Sequence, residues 1–579
     1  MYDLIIRNGT IIDGTGDSRF IADVAVIDGK IAKLGTVNDP VIAGTGKQEI
    51  DASGKLITPG WVDIHTHYDG QATWDPILAP SSWHGVTTVV MGNCGVGFAP
   101  VKPKDRNFLI ELMEGVEDIP GAALSEGIDW QWESFPEYLD ALEAMPRTID
   151  VATQVPHGAV RAYVMGERCN TDYAPTQTEV DQMAALVHEG VEAGALGFSS
   201  SKTLLHKDVH GAYMPGTFSG NEEMLALGLG MKSLNNAVFE LVSDHLGDDK
   251  EWAWVTEFQK QTGLTVTLIA TTAPAYENGK MFKLAEQARL QGREIRPQAA
   301  GRPTGVLHGL QSSFHAFVGH PTWRSELADL DHDTLVAKML DPVIKAKLLA
   351  EESMITSGPM RDLSALMGQV FPLGENPNYE PKQEDSIAGI AQAKGQDAME
   401  VMYDLLAANN GKELFYQPLG GYQGYSLDGQ KHLLEHPNVL FGLSDGGAHC
   451  GVIADAGMPT FIMTHWGRDR TRGQKMELEF IVQALTSKTA EAYGMFDRGM
   501  IKEGLIADIN VIDFEELKLF RPEAIFDLPK GGRRLVQRAE GYDKTIKAGE
   551  VIFDKGTHTG ALPGKLVRRS NASPPVAVG

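Results

Sequence analysis

Over the first 57 residues the apolar positions come in short β-branched runs broken by glycine turns, in "YDLIIRNGTIIDGTG", "ADVAVIDGKIAKLG" and "QEIDASGKLITPG", a pattern of strands with no helical period between them. From residue 60 the rhythm changes. Apolar runs of strand length now alternate with amphipathic stretches, and eight such runs stand out: "WVDIHTH", "GVTTVVMGNCG", "IDVATQVPHG", "GALGFSS", "AVFELVS", "TVTLIAT", "EIRPQAAG" and "VLFGLSDGG". The helical period is plain in "TQTEVDQMAALVHEGVEAG" before the fourth run and "EEMLALGLGMKSLN" before the fifth. Eight strands separated by helices predict an α/β fold, a closed (β/α)8 TIM-like barrel over residues 58–498 with its chemistry at the C-terminal strand ends. Residues 303–436, between the last two strands, read as an insertion, and the turn-rich "FPLGENPNYEPKQED" within it predicts a lid or an edge segment. Past residue 498 the opening style returns in "GLIADINVIDF" and "KTIKAGEVIFDKG". Residues 1–57 and 499–579 are therefore expected to build one small β-sandwich from both chain termini, ending in a disordered tail, "RSNASPPVAVG".

Composition narrows the partners. With 42% hydrophobic and 22% charged residues the 579-residue chain is ordinary for a globular protein, and no apolar run approaches the roughly 18 residues of a membrane span. The N-terminus enters a strand pattern without a basic region or an apolar leader, so a cytoplasmic location is expected. Cys94, Cys169 and Cys450 are too scattered for a disulfide framework, in keeping with a reducing compartment. A net charge of −26 opposes binding to nucleic acid. A small-molecule substrate is the expected partner, with neither nucleic acid nor membrane, and a homo-oligomer is left open.

The chemistry-bearing residues fall at the predicted strand ends. His65 and His67 are two apart, so on a strand both rings point the same way, and paired imidazoles at a barrel rim are half of a zinc site. Hydrogen-bonded polar residues are the plainer alternative. Cys94, flanked by glycines in "GNCG", can turn a thiolate inward or serve as a small buried hydrophobe. Asp445 ends an apolar run in "LFGLSDGG", where a carboxylate can touch a metal and take a proton from the attacking water, or simply form a turn.

These segments, with "LITPGWVDIHTHYDG", "WESFPEYLDAL", "LTSKTAEAYGMFDRG" and "RGMIKEGLIADINVID", resemble the amidohydrolase superfamily, and specifically its N-acyl-D-amino-acid deacylase (D-aminoacylase) branch, over nearly the whole chain. The resemblance implies the barrel, the β-sandwich and zinc-assisted amide hydrolysis with one or two Zn2+ per chain. It also implies that Cys94 is a zinc ligand and Asp445 the catalytic base.

The chain also departs from the branch. "NNAVFELVSDH" and "TVTLIATTAP" place Val242 and Ala270 where the branch carries histidines on strands five and six. Glu240, on the same face as Val242, is the candidate replacement, as ligand or metal neighbour, because an isolated carboxylate inside a barrel is costly; His245 reads as surface loop. The expected metal set is His65, His67 and Asp445 with Cys94 or Glu240. The branch's substrate-holding lysine and arginine are also missing from "TTAP" and "ADAGMPTF", which puts a free α-carboxylate on the substrate in question. Other polar residues near strand ends include Arg161, His206 and Arg302. From these, His157, Lys202, Gln298 and His449 are taken as substrate-binding candidates, each with the alternative of tying down a loop. Trp130, Trp132 and Phe135 either wall a pocket or pack a helix.

The expected function is a metal-dependent hydrolase cleaving a C–N amide bond of an N-acylated small molecule. A cyclic amide or lactone hydrolase is the first alternative, and a non-catalytic small-molecule-binding homologue the second.

Overall fold

The computed structural model describes residues 1–171, 174–270, 280–355, 363–419 and 421–571. All eight apolar runs lie on strands paired in parallel. Trp61–Asp63, Val86–Met91 and Asp150–Thr153 form one sheet. Val155–Pro156, Gly197–Lys202, Val238–Ser243, Thr265–Ile269, Ile295–Ala299 and Leu440–Phe441 form the other. The sheets meet twice: across Gln154, and where Thr66 bridges Gly446 in parallel while the Asp445 N–H donates to the His65 carbonyl. The neighbours thus run in sequence order from the first strand round to the eighth. Most residues of these strands are buried on both faces, which is why they appear in the sequence as near-continuous apolar runs.

The helices between them start where the sequence says they should. Gln177–Ala193 opens on a capping box, Thr176 accepting from the Glu179 N–H while the Glu179 carboxylate accepts from the Thr176 N–H, and it stops at Gly194. Phe135–Ala144 opens the same way on Ser134 and Glu137.

Strands from both ends of the chain share a nine-stranded sheet in which Leu56–Pro59 lies between Tyr2–Ile11 and Ile509–Ile512. One face buries Ile6, Ile11, Val24, Ile57, Ile509, Val511 and Ile546. This sheet is pinned to the ring at Asp150, whose Oδ2 receives Arg498 at 2.5 Å and Lys547 at 2.7 Å; Lys547 also reaches Asp508 at 2.8 Å.

The insertion has its own core, built on Phe317, Leu335, Leu348, Met402, Tyr403 and Leu406. It carries a small antiparallel sheet whose edge is Phe371–Pro372, so the start of "FPLGENPNYEPKQED" is an edge strand. The beginning of the expected disordered tail is placed instead. Val567 N–H donates to the Val151 carbonyl and Arg569 N–H to that of Gly194, and the Arg569 guanidinium reaches the Asn235 carbonyl and the Asn571 side chain. The pairing to the third strand comes just before the tail, and the Arg569 bonds hold the tail's first residue. Residues 572–579 lie outside the described residues. Among the described residues no helix is long and apolar enough to cross a membrane.

Candidate metal centre

His65 and His67 follow directly on the strand Trp61–Asp63, and their rings meet edge-on with centroids 5.4 Å apart. Cys94 follows Val86–Met91 in a turn that needs its glycines. Cys94 itself has φ 55°, and a Cβ at Gly92, φ +75°, would stand 2.3 Å from the Gln154 carbonyl oxygen. One ligand atom from each of His65, His67 and Cys94 lies within 4.8 Å of the others, and all three residues are buried. His65 Nε2 is 3.4 Å from Cys94 Sγ and 3.6 Å from Asp445 Oδ1, and His67 Nε2 is 3.9 Å from the same oxygen.

What stands behind His65 fixes its orientation. His65 Nδ1 lies 3.2 Å from Gln298 Oε1, and the Gln298 amide is itself oriented because its Nε2 donates to Thr267 Oγ1 and Tyr493 Oη. His65 therefore carries its proton on Nδ1 and turns the Nε2 lone pair toward Cys94. Gln298, expected as a substrate contact, is buried behind the histidine. His67 Nδ1 lies 3.4 Å from Glu117 Oε1. Glu240 Oε2 accepts the Cys94 N–H at 3.0 Å and its Oε1 has no hydrogen-bond partner, so this carboxylate sits behind the cysteine and outside the trio.

The charges are arranged for a cation. Burial pushes His65 down to about 3 and His67 well below its usual value, leaving both imidazoles neutral. Burial, with Asp455 and Asp63 nearby, pushes Asp445 up to about 8; burial and Asp445 push Glu240 up to about 8; the Cys94 thiol and Glu117 are also held well above their ordinary values. A bound divalent ion would reverse each of these acid shifts. Two imidazole nitrogens and a thiol are the donors zinc prefers, and separations near 3.5 Å suit neighbouring ligands at zinc bond lengths of about 2.0–2.3 Å. The residues fit the ion.

The remaining expected residues are engaged elsewhere. Both ring nitrogens of buried His157 are occupied, Nδ1 at 2.8 Å from Ser200 Oγ and Nε2 at 3.0 Å from Glu223 Oε1, and Arg161 joins the same carboxylate. His157, expected as a substrate contact, is tied into this packed polar cluster. Lys202 reaches Asn221 Oδ1 at 3.2 Å and lies 5.0 Å from the Trp254 ring centroid. Arg302 is buried against Asp455 at 2.7 Å and over Tyr379 at 3.9 Å. Trp132 packs against Tyr138 and donates to the Phe98 carbonyl. His449 alone among the four substrate candidates combines partial exposure, 25% of its side chain, with a link to the centre, its Nε2 lying 3.4 Å from Glu117 Oε2. Ala270 is buried and donates its N–H to the Gln298 carbonyl; the neighbouring "TTAP", 271–274, lies outside the described residues. Glu117 gave no signal in the sequence, because it ends a surface-type helix, Arg106–Glu117, and reaches the centre only through tertiary folding.

A parallel strand ring with imidazole, thiol and carboxylate groups at the strand ends is the architecture of a hydrolytic metalloenzyme family, and comparison agrees: the chain belongs to the amidohydrolase family, whose model matches residues 48–553. It is similar to D-aminoacylase of Alcaligenes xylosoxydans xylosoxydans, 25% identical over 581 residues that cover 99% of this chain and 98% of that one. It is equally similar to N-acyl-D-aspartate deacylase of the same organism, 25% identical over 594 residues, covering 99% and 96%. In fold it resembles a D-aminoacylase with a binuclear metal center, with TM-score 0.64 and 22% identity, covering 98% of this chain and all of that one. It also resembles N-acyl-D-glutamate deacylase from Bordetella bronchiseptica complexed with zinc and a phosphonate inhibitor, with TM-score 0.62 and 22% identity, covering 98% and 99%.

Proposed function

We propose that this protein is a zinc-dependent amidohydrolase that cleaves the C–N amide bond of an N-acylated small molecule. In this reading the strand ring is a (β/α)8 barrel over residues 58–498 and the nine-stranded sheet is the core of a β-sandwich drawn from residues 1–57 and 499–579. The observation that carries the proposal is the buried trio His65, His67 and Cys94 with Asp445 Oδ1 facing both imidazoles. Zinc, when bound by the trio, supplies Lewis acidity toward the scissile carbonyl and lowers the pKa of a nearby water. Asp445 takes the proton from the attacking water and returns it to the leaving nitrogen. Gln298 keeps His65 in the tautomer that offers Nε2.

The substrate class follows from what surrounds Asp455. The segment that would carry an arginine for a substrate carboxylate holds an aspartate instead, and the nearby cation, Arg302, is already paired with it. That favours an amide without a free α-carboxylate, and a cyclic amide or lactone satisfies the same condition. Metal analysis of the purified chain, followed by a screen of N-acyl-D- and L-amino acids, neutral N-acyl amides, cyclic amides and lactones, tests the reading. About one or two zinc ions per chain and turnover of a neutral amide are expected. Protein that takes up no zinc after metal-supplemented growth and hydrolyses none of these would be a binding homologue.

A further inference from the structure

The helix Arg106–Glu117 ends against the loop that follows the eighth strand, and three contacts join them. The His449 N–H donates to the Glu117 carbonyl, the Gly451 N–H donates to Asp118 Oδ2 at 2.9 Å, and Glu117 Oε2 lies 3.4 Å from His449 Nε2. The other oxygen of the same carboxylate, Oε1, lies 3.4 Å from His67 Nδ1, and both of those atoms are buried with no aligned hydrogen bond. Only 1% of Glu117 is exposed. A carboxylate there is unfavourable twice over, because burial penalises its charge and the C-terminal end of a helix carries partial negative charge. A side chain kept at such a position needs a compensating partner, and the two imidazoles are the groups it faces.

We propose that Glu117 is a two-armed positioning residue: Oε1 accepts the Nδ1–H of His67 and so aims Nε2 at the metal, while Oε2 holds His449 at the mouth of the site. The inference rests on the metal reading above. Gln298 behind His65 and Glu117 behind His67 then form a matched pair of supports, one neutral and one anionic. The anionic one raises the basicity of its histidine, and such carboxylate supports typically carry about 10–100-fold in metal affinity.

The test is zinc affinity of the full-length chain, measured by competition with a chromophoric chelator, for the parent, Glu117→Gln, Glu117→Ala and His449→Ala. Cobalt(II)-substituted protein provides a spectrum that reports the ligand set directly. Affinity should fall in the order parent, Gln, Ala, with Ala weakened about 10–100-fold and its cobalt spectrum altered. His449→Ala should keep the parent's affinity and spectrum. Folded Glu117→Ala with the parent's affinity overturns the inference. If that variant is not recovered folded, Glu117→Gln decides, and parent-like affinity there overturns it equally. A loss in His449→Ala as large as in Glu117→Ala would put His449 in the metal shell and refute the division of roles. A parent chain that binds no zinc is a separate result, which removes the metal reading itself.

Discussion

Asp445 lies at φ 49°, in the left-handed region that Asp and Asn tolerate better than most side chains. Asp445→Asn therefore keeps the backbone, the volume and one oxygen facing the imidazoles while removing the base. Turnover should fall about 10²–10⁴-fold with zinc retained, and steady-state rates alongside metal content check both halves; a variant that hydrolyses at the parent rate rules out the proton role. Glu223 offers a test in pH. Burial alone would raise its carboxyl, but the His157 and Arg161 donors outweigh that and hold it at about 2, below an ordinary 4.5. A lowered carboxylate contributes stability that is present above pH 4.5 and lost as pH falls toward 2. Glu223→Gln leaves Arg161 beside a neutral amide, so it should be less stable at neutral pH and show a flatter loss between about pH 4.5 and 2. Urea unfolding across that range reads the slope, and parallel parent and variant curves contradict the assignment.

At the level of elements, the ring is held to the terminal sheet by buried charge. Asp150 takes both Arg498 and Lys547, which keep Asp497 and Asp508 as further partners, so Asp150→Asn weakens the pairing of two buried cations and should cost about 1.5–3 kcal/mol, measured as a lower denaturation midpoint; a change under about 1 kcal/mol would make the cluster dispensable. What the sequence reveals of these elements depends on how far position in the chain dictates position in space. Parallel strands buried on both faces must be apolar throughout, so all eight are legible as runs. His65, His67, Cys94 and Asp445 are legible with them, because a residue just past a strand's C-terminal end has only one place to go. Glu117 is not, since its helix end arrives by packing. The direction of Gln298 is hidden as well, being set by Thr267 and Tyr493 from two other elements. The partners of His157 are hidden for a related reason: a histidine at a strand end signals a site, but its two nitrogens meet Ser200 on the fourth strand and Glu223 on the helix that follows it.

For the molecule as a whole, the proposed ion and the layout of cores together predict how it unfolds. Part of the insertion has a core of its own, although its Leu307, Phe371, Tyr416 and Leu434 pack into the main one, and the ring and the terminal sheet are tied by the Asp150 cluster and by the Val567 and Arg569 backbone bonds. A ligand stabilises only the unit that binds it, by about 2.7 kcal/mol at a free concentration 100 times its Kd. For a cooperative unit of some 400 residues, with an unfolding entropy of about 2 cal/mol/K per residue, that is a shift of roughly 3 °C. Calorimetry of metal-replete and chelated protein should therefore show the ring-and-sheet transition move down by about this amount on zinc removal, with any separate transition from the insertion left in place. The Cys94→Ala chain, lacking the thiol, should already lie near the chelated position and respond weakly to added zinc. Should chelation shift no transition while zinc is demonstrably lost, the ion would not be coupled to the strand ends that His65, His67 and Cys94 bring together, and the centre would have to be sought elsewhere in the fold.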